Sequence, residues 1–259
     1  MEKRQDKYKS EIAKETFNTI RTNISFLGMD NEMKVLMVTS SVKDEGKTTT
    51  TCNIANSYSM VKKRALLIDC DLRSPKVYRE LNVTKQKGLP DLIMSGFGDC
   101  LDYQDYIVKI NDYFDVITAG FRPPNPSELL ASKRLDAIIK NLRAIYDVIL
   151  LDTPPVLLVS DAVSLNRLVD GILLVIRYGY TTKEALCESK RVFEVAGIRP
   201  TACIFNAVPS TEKRSKYYGY YGYMDEPKVK KEKSRSELHT KKKKPTEDSF
   251  INYYRRKIK

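Results

Sequence analysis

Residues 66–73, Leu-Leu-Ile-Asp-Cys-Asp-Leu-Arg, limit the possible folds of this chain more than any other segment. Three consecutive aliphatic residues predict a short strand buried on both faces, and Asp69 and Asp71 follow at its carboxyl end. The segment 148–151 is equally aliphatic and is followed by Asp152, before Thr-Pro-Pro. Such strands occur in parallel sheets covered by helices, which bind ligands beyond the carboxyl ends of their strands.

A phosphate-binding loop is predicted at residues 41–48, Ser-Val-Lys-Asp-Glu-Gly-Lys-Thr, where serine occupies the first glycine position. The loop follows the aliphatic residues 35–38 and opens a predicted helix, which is the context that such a loop requires. Backbone N–H groups at the start of the helix would hold phosphates, Lys47 would reach the β- and γ-phosphates, and Thr48 would supply a hydroxyl to Mg²⁺. We therefore expect a site for a magnesium–nucleotide complex.

The three carboxylates at the strand ends are expected to share this site. Asp152 is a candidate for holding Mg²⁺ through water, although an aspartate at a strand end equally serves as a helix cap. Asp69 and Asp71 would crowd two negative charges beside a bound triphosphate, which is costly without a metal ion. One of them, which we assign as Asp71, would orient or deprotonate an acceptor hydroxyl. Arg73 would pair with these carboxylates, with the nucleotide, or in an ordinary surface ion pair.

The predicted site residues form three overlapping groups. The catalytic group is Asp71, Asp69 and Lys47. The metal group is Thr48, Asp69, Asp71 and Asp152. The nucleotide-binding group is Ser41, Asp44, Glu45, Gly46, Lys47, Thr48, Thr49 and Asn206.

Short aliphatic strands alternate with helical segments from residue 33 to residue 209. This pattern predicts an α/β fold, a doubly wound, mostly parallel, P-loop NTPase-like sheet with helices on both faces. The expected strands lie near 34–39, 65–69, 114–118, 147–152, 171–176 and 201–205. The expected helices cover 47–62, 88–95, 127–145, 159–168 and 181–196, and an amphipathic helix outside the sheet covers 10–27.

The composition of the 259 residues excludes several classes of protein. No apolar run approaches the roughly 20 residues that a membrane helix needs, and nothing resembles a signal peptide. The single histidine, His239, lies in a lysine-rich segment, which argues against histidine-based catalysis. The five scattered cysteines are expected to be reduced core residues of a cytoplasmic protein rather than disulfides or zinc ligands.

The positive charge is concentrated after residue 210. Residues 211–259 carry 16 Lys and Arg against 7 Asp and Glu, so they hold +9 of the chain's net charge of +12. They also contain seven of its 16 tyrosines and few aliphatic residues, which predicts a flexible tail. We expect an N-terminal helical segment at 1–31, a P-loop domain at 32–210 and a basic, tyrosine-rich, disordered tail at 211–259.

Taken together, the motifs resemble those of the bacterial tyrosine kinases (BY-kinases) of the capsular exopolysaccharide family, CpsD/CapB type. That family has a Walker A loop with a relaxed first position, a Walker A′ strand of three aliphatic residues followed by DxDxR, and a Walker B strand ending in DxxP. Residues 66–73 and 149–155 match the last two motifs in full, and the segments 88–92, 124–130 and 152–161 match as well.

The resemblance implies an ATP- and Mg²⁺-dependent protein-tyrosine autokinase that regulates capsular or exopolysaccharide synthesis and export. Phosphate would pass between the subunits of a homo-oligomeric ring to a cluster in the tail, namely Tyr217, Tyr218, Tyr220, Tyr221 and Tyr223. The implied partners are the cytoplasmic segment of a membrane-embedded modulator and a tyrosine phosphatase, and no nucleic acid is expected. Docking to the modulator would bring a cytoplasmic protein to the inner face of the cell membrane.

Two features depart from the family's pattern. Its subunit-contact motif, ExxRxxR, begins here at Glu15 and ends at Arg21, with Asn18 in place of the first arginine. Asparagine cannot form the forked carboxylate pair that arginine forms, so Glu15 and Arg21 are the predicted contacts of a weakened ring. The phosphate loop also lacks the usual Pro-Gly and reads Lys-Asp-Glu at 43–45.

The residues leave two other functions open. A ParA/MinD-type positioning ATPase shares the fold and the loop, but it carries a lysine directly after the first loop position, where this chain has Val42. A catalytically weak, ATP-binding adaptor of polysaccharide assembly would bind nucleotide and its membrane partner with little chemistry, and the intact DxD argues against it. The tyrosine-rich tail could equally be a sticky or RNA-binding segment, and in a positioning ATPase the basic tail could give salt-sensitive DNA binding.

Overall fold

The computed structural model describes residues 2–29, 32–84, 87–95 and 103–209, and for residues 2–10 it describes the backbone alone. The predicted tail, with its tyrosine cluster, therefore lies outside the described residues. Within them no helix is both long enough and apolar enough to cross a lipid bilayer.

Helices and strands alternate along the chain, as the sequence predicts. The strands are β1 (Val35–Ser40), β2 (Ala65–Asp69), β3 (Val108–Asn111), β4 (Phe114–Ile117), β5 (Val148–Asp152), β6 (Gly171–Arg177) and β7 (Ala202–Asn206). The helices are α1 (Glu2–Leu27), α2 (Lys47–Ser59), α3 (Val77–Glu80), α4 (Leu89–Met94), α5 (Pro126–Leu130), α6 (Lys133–Ile145), α7 (Asp161–Leu165) and α8 (Lys183–Val195). Single 3₁₀ turns lie at Tyr103–Asp105 and Asn166–Leu168.

The strands form one sheet in the order β3-β4-β2-β5-β1-β6-β7, and all neighbours are parallel except the edge pair β3–β4. The registers bring the two acidic strand ends together, because Asp69 of β2 pairs with Asp152 of β5. On the other side of β5, Val38 of β1 also pairs with Asp152, three residues before the phosphate loop begins at Ser41. The predicted fold class is confirmed, and its topology gathers the motifs at one edge.

Helices cover both faces of the sheet, because the central strands are aliphatic on both sides. Four of these strands are buried at every position, namely β1, β2, β5 and, up to its last residue, β6. One face packs against α4, α6, α7 and α8, and the other packs against α1, α2 and α3. On the second face Ile24 of α1 is buried, which confirms an amphipathic helix lying outside the sheet.

Several predicted elements differ in detail. The predicted helix over 127–145 is two helices, α5 and α6, because Ser132 caps the second one and accepts a hydrogen bond from the Leu135 N–H at 3.3 Å. The antiparallel strand β3 and the single-turn helix α3 were not predicted. The cysteine prediction was partly wrong, since Cys187 and Cys203 are exposed although Cys52 and Cys70 are buried.

Candidate active site

A cleft of about 670 Å³ lies at the carboxyl edge of the sheet, where the predicted site residues converge. The phosphate loop and the start of α2 form one wall, and the segment after β2 forms another. The residues that line the cleft include Lys43, Asp44, Lys47, Thr48, Thr49, Asp71, Arg73, Lys76, Arg122, Pro155, Leu158 and Arg177. Of the two aspartates at the carboxyl end of β2, Asp69 and Asp71, only Asp71 lines this cleft.

The phosphate loop requires glycine at one position. Gly46 has a φ of +86°, in the left-handed region, and directly precedes α2. A Cβ atom at Gly46 would lie 1.9 Å from Nδ2 of Asn206, so a larger residue collides with the end of β7. Glycine therefore allows both the loop conformation and the close approach of Asn206.

Glu45 and Asn206 hold the loop in shape. The Glu45 side chain is buried and accepts hydrogen bonds from the Val42 N–H at 2.8 Å and from the Thr181 hydroxyl. Asn206 donates from Nδ2 to the Glu45 carbonyl at 2.9 Å. Both side chains, predicted as nucleotide contacts, thus bind the loop itself in this structure.

Asp44 takes the left-handed conformation that glycine would favour, with a φ of 60°. Lys76 donates to its carboxylate at 2.7 Å, and Arg177 donates to its carbonyl at 2.8 Å. The hydrogen bond and the charge of Lys76 lower the pKa of Asp44. The Asp44 position of the loop is thereby tied to the segments after β2 and at the end of β6.

Lys47 is buried between two carboxylates. Its ammonium lies 3.1 Å from Oδ1 of Asp152 and 3.6 Å from Oδ2 of Asp71. The Thr48 hydroxyl donates to the other oxygen of Asp152 at 2.7 Å. Burial opposes the charged form of Lys47, but Asp152 and Asp71 outweigh it and raise its pKa. Burial raises the pKa of Asp152, which Lys47 and Thr48 partly offset.

Asp69 lies behind Asp71, wholly buried. One oxygen accepts from the Asp71 N–H at 3.1 Å, and the other accepts from the Val77 N–H at 3.3 Å. Burial and the charge of Asp152 raise the pKa of Asp69 well above its usual range. The first aspartate of the pair therefore closes the loop that carries the second.

Residues 33–188 match the model of the AAA_31 family, an AAA domain. Over 214 residues the chain is 37% identical to the tyrosine-protein kinase YwqD of Bacillus subtilis (strain 168), which covers 82% of this chain and 87% of that relative. The chain belongs to the bacterial tyrosine-protein kinase family. The resemblance drawn from the motifs is confirmed.

Two further members of this bacterial tyrosine-protein kinase family are similar over the same region. The tyrosine-protein kinase Wzc of Salmonella typhi is 36% identical over 214 residues, which cover 83% of this chain and 29% of Wzc. The kinase domain of the Escherichia coli tyrosine kinase ETK superposes with a TM-score of 0.68 at 31% identity, over 76% of this chain and 78% of that domain.

The site of this tyrosine-kinase family member fits a magnesium–nucleotide complex. The left-handed Gly46 and the N-terminus of α2 form a cradle for anionic oxygens, and the exposed Thr49 lines its mouth. The buried hydroxyl of Ser41 has no hydrogen-bond partner among the described residues. Thr48 and Asp152 carry oxygen atoms of the hard kind that Mg²⁺ prefers as ligands.

The described residues contain no cluster of three or more acidic, thiol or imidazole side chains that would hold a metal ion unaided. This agrees with the usual binding of Mg²⁺ in nucleotide sites, where one or two carboxylates act together with water and phosphate oxygens.

Arg73, whose pairing the sequence left open, contacts neither Asp69 nor Asp71. Its Nε lies 3.0 Å from the buried carboxylate of Asp161, the first residue of α7, and its Nη2 donates to the Ser127 hydroxyl at 2.8 Å. Ser127 in turn donates to Asp161 at 2.7 Å. Ser127 and Asp161 were not predicted as site residues, although both fall in segments that carry the family resemblance.

The predicted subunit contacts lie along one side of α1. Arg21 donates to Asn18 at 3.1 Å and to the Ser57 carbonyl of α2 at 2.5 Å, and Asn18 donates to Glu15 at 3.4 Å. Asn18 thus joins the two motif residues within one chain. Contacts of Glu15 and Arg21 between subunits of this kinase-family chain stay a prediction.

Proposed function

We propose that this chain transfers the γ-phosphoryl group of ATP to tyrosine hydroxyls of its own tail, from one subunit to another. The observation that carries the proposal is the placement of Asp71 and Asp152 on either side of Lys47. Asp152 is engaged by the loop lysine and by Thr48, whereas Asp71 lines the cleft. Asp71 also accepts a hydrogen bond from the Ser74 N–H at 3.0 Å, so its position in the cleft lining is what makes it the carboxylate that would face an incoming group.

In the proposed reaction, the phenol oxygen of tyrosine forms a bond to the γ-phosphorus while the bond from that phosphorus to the β–γ bridging oxygen breaks. Asp71 accepts the phenol proton, and ADP departs with the electron pair of the broken bond. Lys47 balances the negative charge of the group in transfer. A phenol has a pKa near 10, so a carboxylate within reach is needed at neutral pH.

Thr48 and Asp152 are the residues that we propose to hold Mg²⁺, which would neutralise phosphate charge when bound, whereas we assign Asp71, predicted as a further metal ligand, to the phenol proton. The backbone of residues 44–47, together with Ser41 and Thr49, would contact the phosphates. Asp69 was predicted as a metal ligand and a catalytic residue. Because it bonds to two backbone N–H groups behind Asp71, we propose that its main role is to position Asp71.

The proposed acceptors are Tyr217, Tyr218, Tyr220, Tyr221 and Tyr223, which lie outside the described residues. Two glycines, at 219 and 222, separate these tyrosines, and lysine and arginine surround them. Each transferred phosphate would add about −1.5 to −2 charges among those cations. Phosphorylation would therefore change how the tail interacts with its surroundings.

The remaining proposals concern partners. We propose that the chain forms a homo-oligomer through Glu15 and Arg21, and that it docks to the cytoplasmic segment of a membrane-embedded modulator of capsular or exopolysaccharide synthesis. A tyrosine phosphatase would reverse its phosphorylation. A soluble chain with a basic tail would then work at the inner face of the cell membrane, where each suitably placed Lys or Arg adds about 1 kcal/mol of attraction to anionic lipid.

The test uses the full chain with ATP and Mg²⁺, and mass spectrometry of its tyrosines. The wild type is expected to become phosphorylated in the cluster from Tyr217 to Tyr223. Lys47→Ala should lower the rate by about 10³-fold or more, because the charge beside the transferred group is lost. The control Lys63→Ala removes an exposed lysine and should leave the rate unchanged.

A deletion after residue 210 separates the two halves of the proposal. It should abolish phosphate incorporation and retain ATP binding in calorimetry. Incorporation that persists in the deletion would refute the acceptor assignment. A wild type that binds ATP but stays unphosphorylated at high protein concentration would refute the kinase proposal itself.

A further inference from the structure

Arg122 lies at one end of the cleft, opposite Arg177 and Asn206, which bind the phosphate loop. It follows β4, which neighbours β2 on the side away from the phosphate loop, so it lines the cleft beyond Asp71. Arg177 and Asn206 end β6 and β7, on the other side of β1. A nucleotide held by the loop therefore leaves the Asp71 end of the cleft for the acceptor.

Most basic residues that line the cleft are already engaged. Lys47 contacts Asp71 and Asp152, Arg73 contacts Asp161, Lys76 contacts Asp44, and Arg177 contacts the Asp44 carbonyl. Within residues 32–84, 87–95 and 103–209, neither Arg122 nor Lys43 has a hydrogen bond or an ion pair. Lys43 belongs to the phosphate loop, so Arg122 is the unengaged cation at the acceptor end.

The cleft also has an apolar wall, in the segment that bonds to Ser40 and Ser41 at the start of the phosphate loop. Pro155 and Leu158 follow β5 and line the cleft, and Leu158 is 48% exposed although it is aliphatic. A phenol ring that reaches Asp71 needs such a wall, because its faces are apolar and its hydroxyl is polar. The cleft thus offers an acceptor tyrosine an apolar wall, a carboxylate and, beyond that carboxylate, an unpaired guanidinium.

The tail carries the matching chemistry. Asp225 and Glu226 are the only acidic residues from 213 to 230, and they follow Tyr223 by two and three positions. In an extended chain, alternate side chains point to the same side, so Tyr223 and Asp225 would face the cleft together. The other four tyrosines of the cluster have no acidic residue within three positions after them.

We propose that Arg122 is a specificity-determining residue that pairs with the acidic residues after the acceptor tyrosine. The preferred substrate is then a tyrosine followed two or three positions later by a carboxylate, and Tyr223 is the favoured site in this chain. This inference rests on the proposed kinase function. Arginine suits the role because its planar fork binds a carboxylate through two hydrogen bonds.

The experiment follows the initial phosphorylation rate at each tyrosine of the full chain by mass spectrometry, with Mg²⁺ and saturating ATP. Both Arg122→Ala and the double variant Asp225→Asn/Glu226→Gln should slow Tyr223 about fivefold, the effect of one exposed ion pair of about 1 kcal/mol. Tyr217 should change little in both, and the KM for ATP should stay the same. Arg199→Ala removes another exposed arginine, before β7, and should alter neither rate.

Charge reversal separates pairing from a structural effect. Arg122→Glu should slow Tyr223 more than Arg122→Ala does, and Asp225→Lys/Glu226→Lys in the same chain should restore the rate. The inference is overturned if neither Arg122→Ala nor Asp225→Asn/Glu226→Gln changes the Tyr223 rate, or if the reversed pair fails to restore it. The kinase proposal stands in both cases. A wild type without phosphorylation at any tyrosine overturns both.

Discussion

On its β6–β7 side the phosphate loop is held by hydrogen bonds, whereas on its β5–β2 side it faces charged groups. Thr181 and Asn206 bond to Glu45 and fix the course of the backbone. On the opposite side, Lys47 lies between Asp152 and Asp71. Buried carboxylates occur on both sides, so the two sides differ in the groups that these carboxylates contact more than in the depth at which they are buried.

The difference separates shape from reactivity. Glu45 is satisfied by donors of the loop and of the turn after β6, so its charge has no access to a ligand. Asp71 keeps contact with the cleft, and its partner Lys47 is shared with Asp152. Substitutions on the first side should therefore affect stability and nucleotide binding, and those on the second should affect the rate of transfer.

The largest effect is expected on the charged side. Asp71→Asn should lower the phosphorylation rate by about 10²- to 10⁴-fold, because it removes the proposed proton acceptor. ATP affinity and the thermal midpoint should change little, since Asp152 still pairs with Lys47. The rate, a binding titration and a thermal scan are measured together.

Asp112→Asn is the matched control, because Asp112 is exposed and lies at the turn before β4. It should leave all three quantities unchanged. Should Asp71→Asn lose ATP binding and rate in proportion, Asp71 would belong to nucleotide binding rather than to proton transfer.

A smaller effect is expected from Gly46→Ala, on the hydrogen-bonded side. The new Cβ would collide with Asn206, and the alanine would have to take a left-handed backbone conformation. ATP affinity should therefore fall by tenfold or more. Gly197→Ala is the control, because Gly197 has a φ of +67° and nothing within 4 Å of the added atom. It should lower only the free energy of unfolding, by the conformational strain of about 1–2 kcal/mol.

The double variant Gly46→Ala/Asn206→Ala measures the collision itself. Removing the Asn206 side chain should recover part of the affinity, with a coupling free energy of about 0.5–3 kcal/mol in a double-mutant cycle. Strictly additive losses would mean that Asn206 does not limit the residue at position 46.

The smallest effect on the transfer rate is expected from Thr181→Val. The buried Glu45 carboxylate would lose a donor, so the free energy of unfolding should fall by about 1–3 kcal/mol in denaturant titration. The transfer rate at saturating ATP should stay within about twofold, as Thr181 contacts no group on the charged side. The exposed Thr84→Val is the control, and an equal loss there would remove the argument for the Glu45 contact.

The two sides also differ in how far the sequence predicts them. The charged side was predictable, since the loop of Lys47, the Asp71 segment and Asp152 each lie at the carboxyl end of a strand with an uninterrupted aliphatic run, and parallel strands bring such ends together. The hydrogen-bonded side was not, because Glu45 meets Thr181 and Asn206 across 136 and 161 positions of sequence. No local pattern marks such a contact.

The same reasoning explains the elements that were missed. The edge strand β3, Val-Lys-Ile-Asn, alternates apolar and polar residues as a half-buried strand does, but four residues are too few for this pattern to stand out. The break between α5 and α6 depends on Ser132 acting as a helix cap, and a serine inside a helical pattern is equally compatible with a continuous helix. The burial of a central strand follows from its amino-acid composition, whereas helix caps and edge strands depend on the residues that pack beside them.

Asp161 accepts hydrogen bonds from Arg73 and Ser127, which belong to two different connections. Arg73 stands two residues after Asp71, and Ser127 stands five residues after Arg122. The buried carboxylate of Asp161 thus holds both the segment of Asp71, which would take up a proton, and the segment of Arg122, which would select the substrate. Mutational drift in acceptor preference is accordingly expected in the tail or at the tip of the Arg122 connection, because change nearer Asp161 would shift both segments at once.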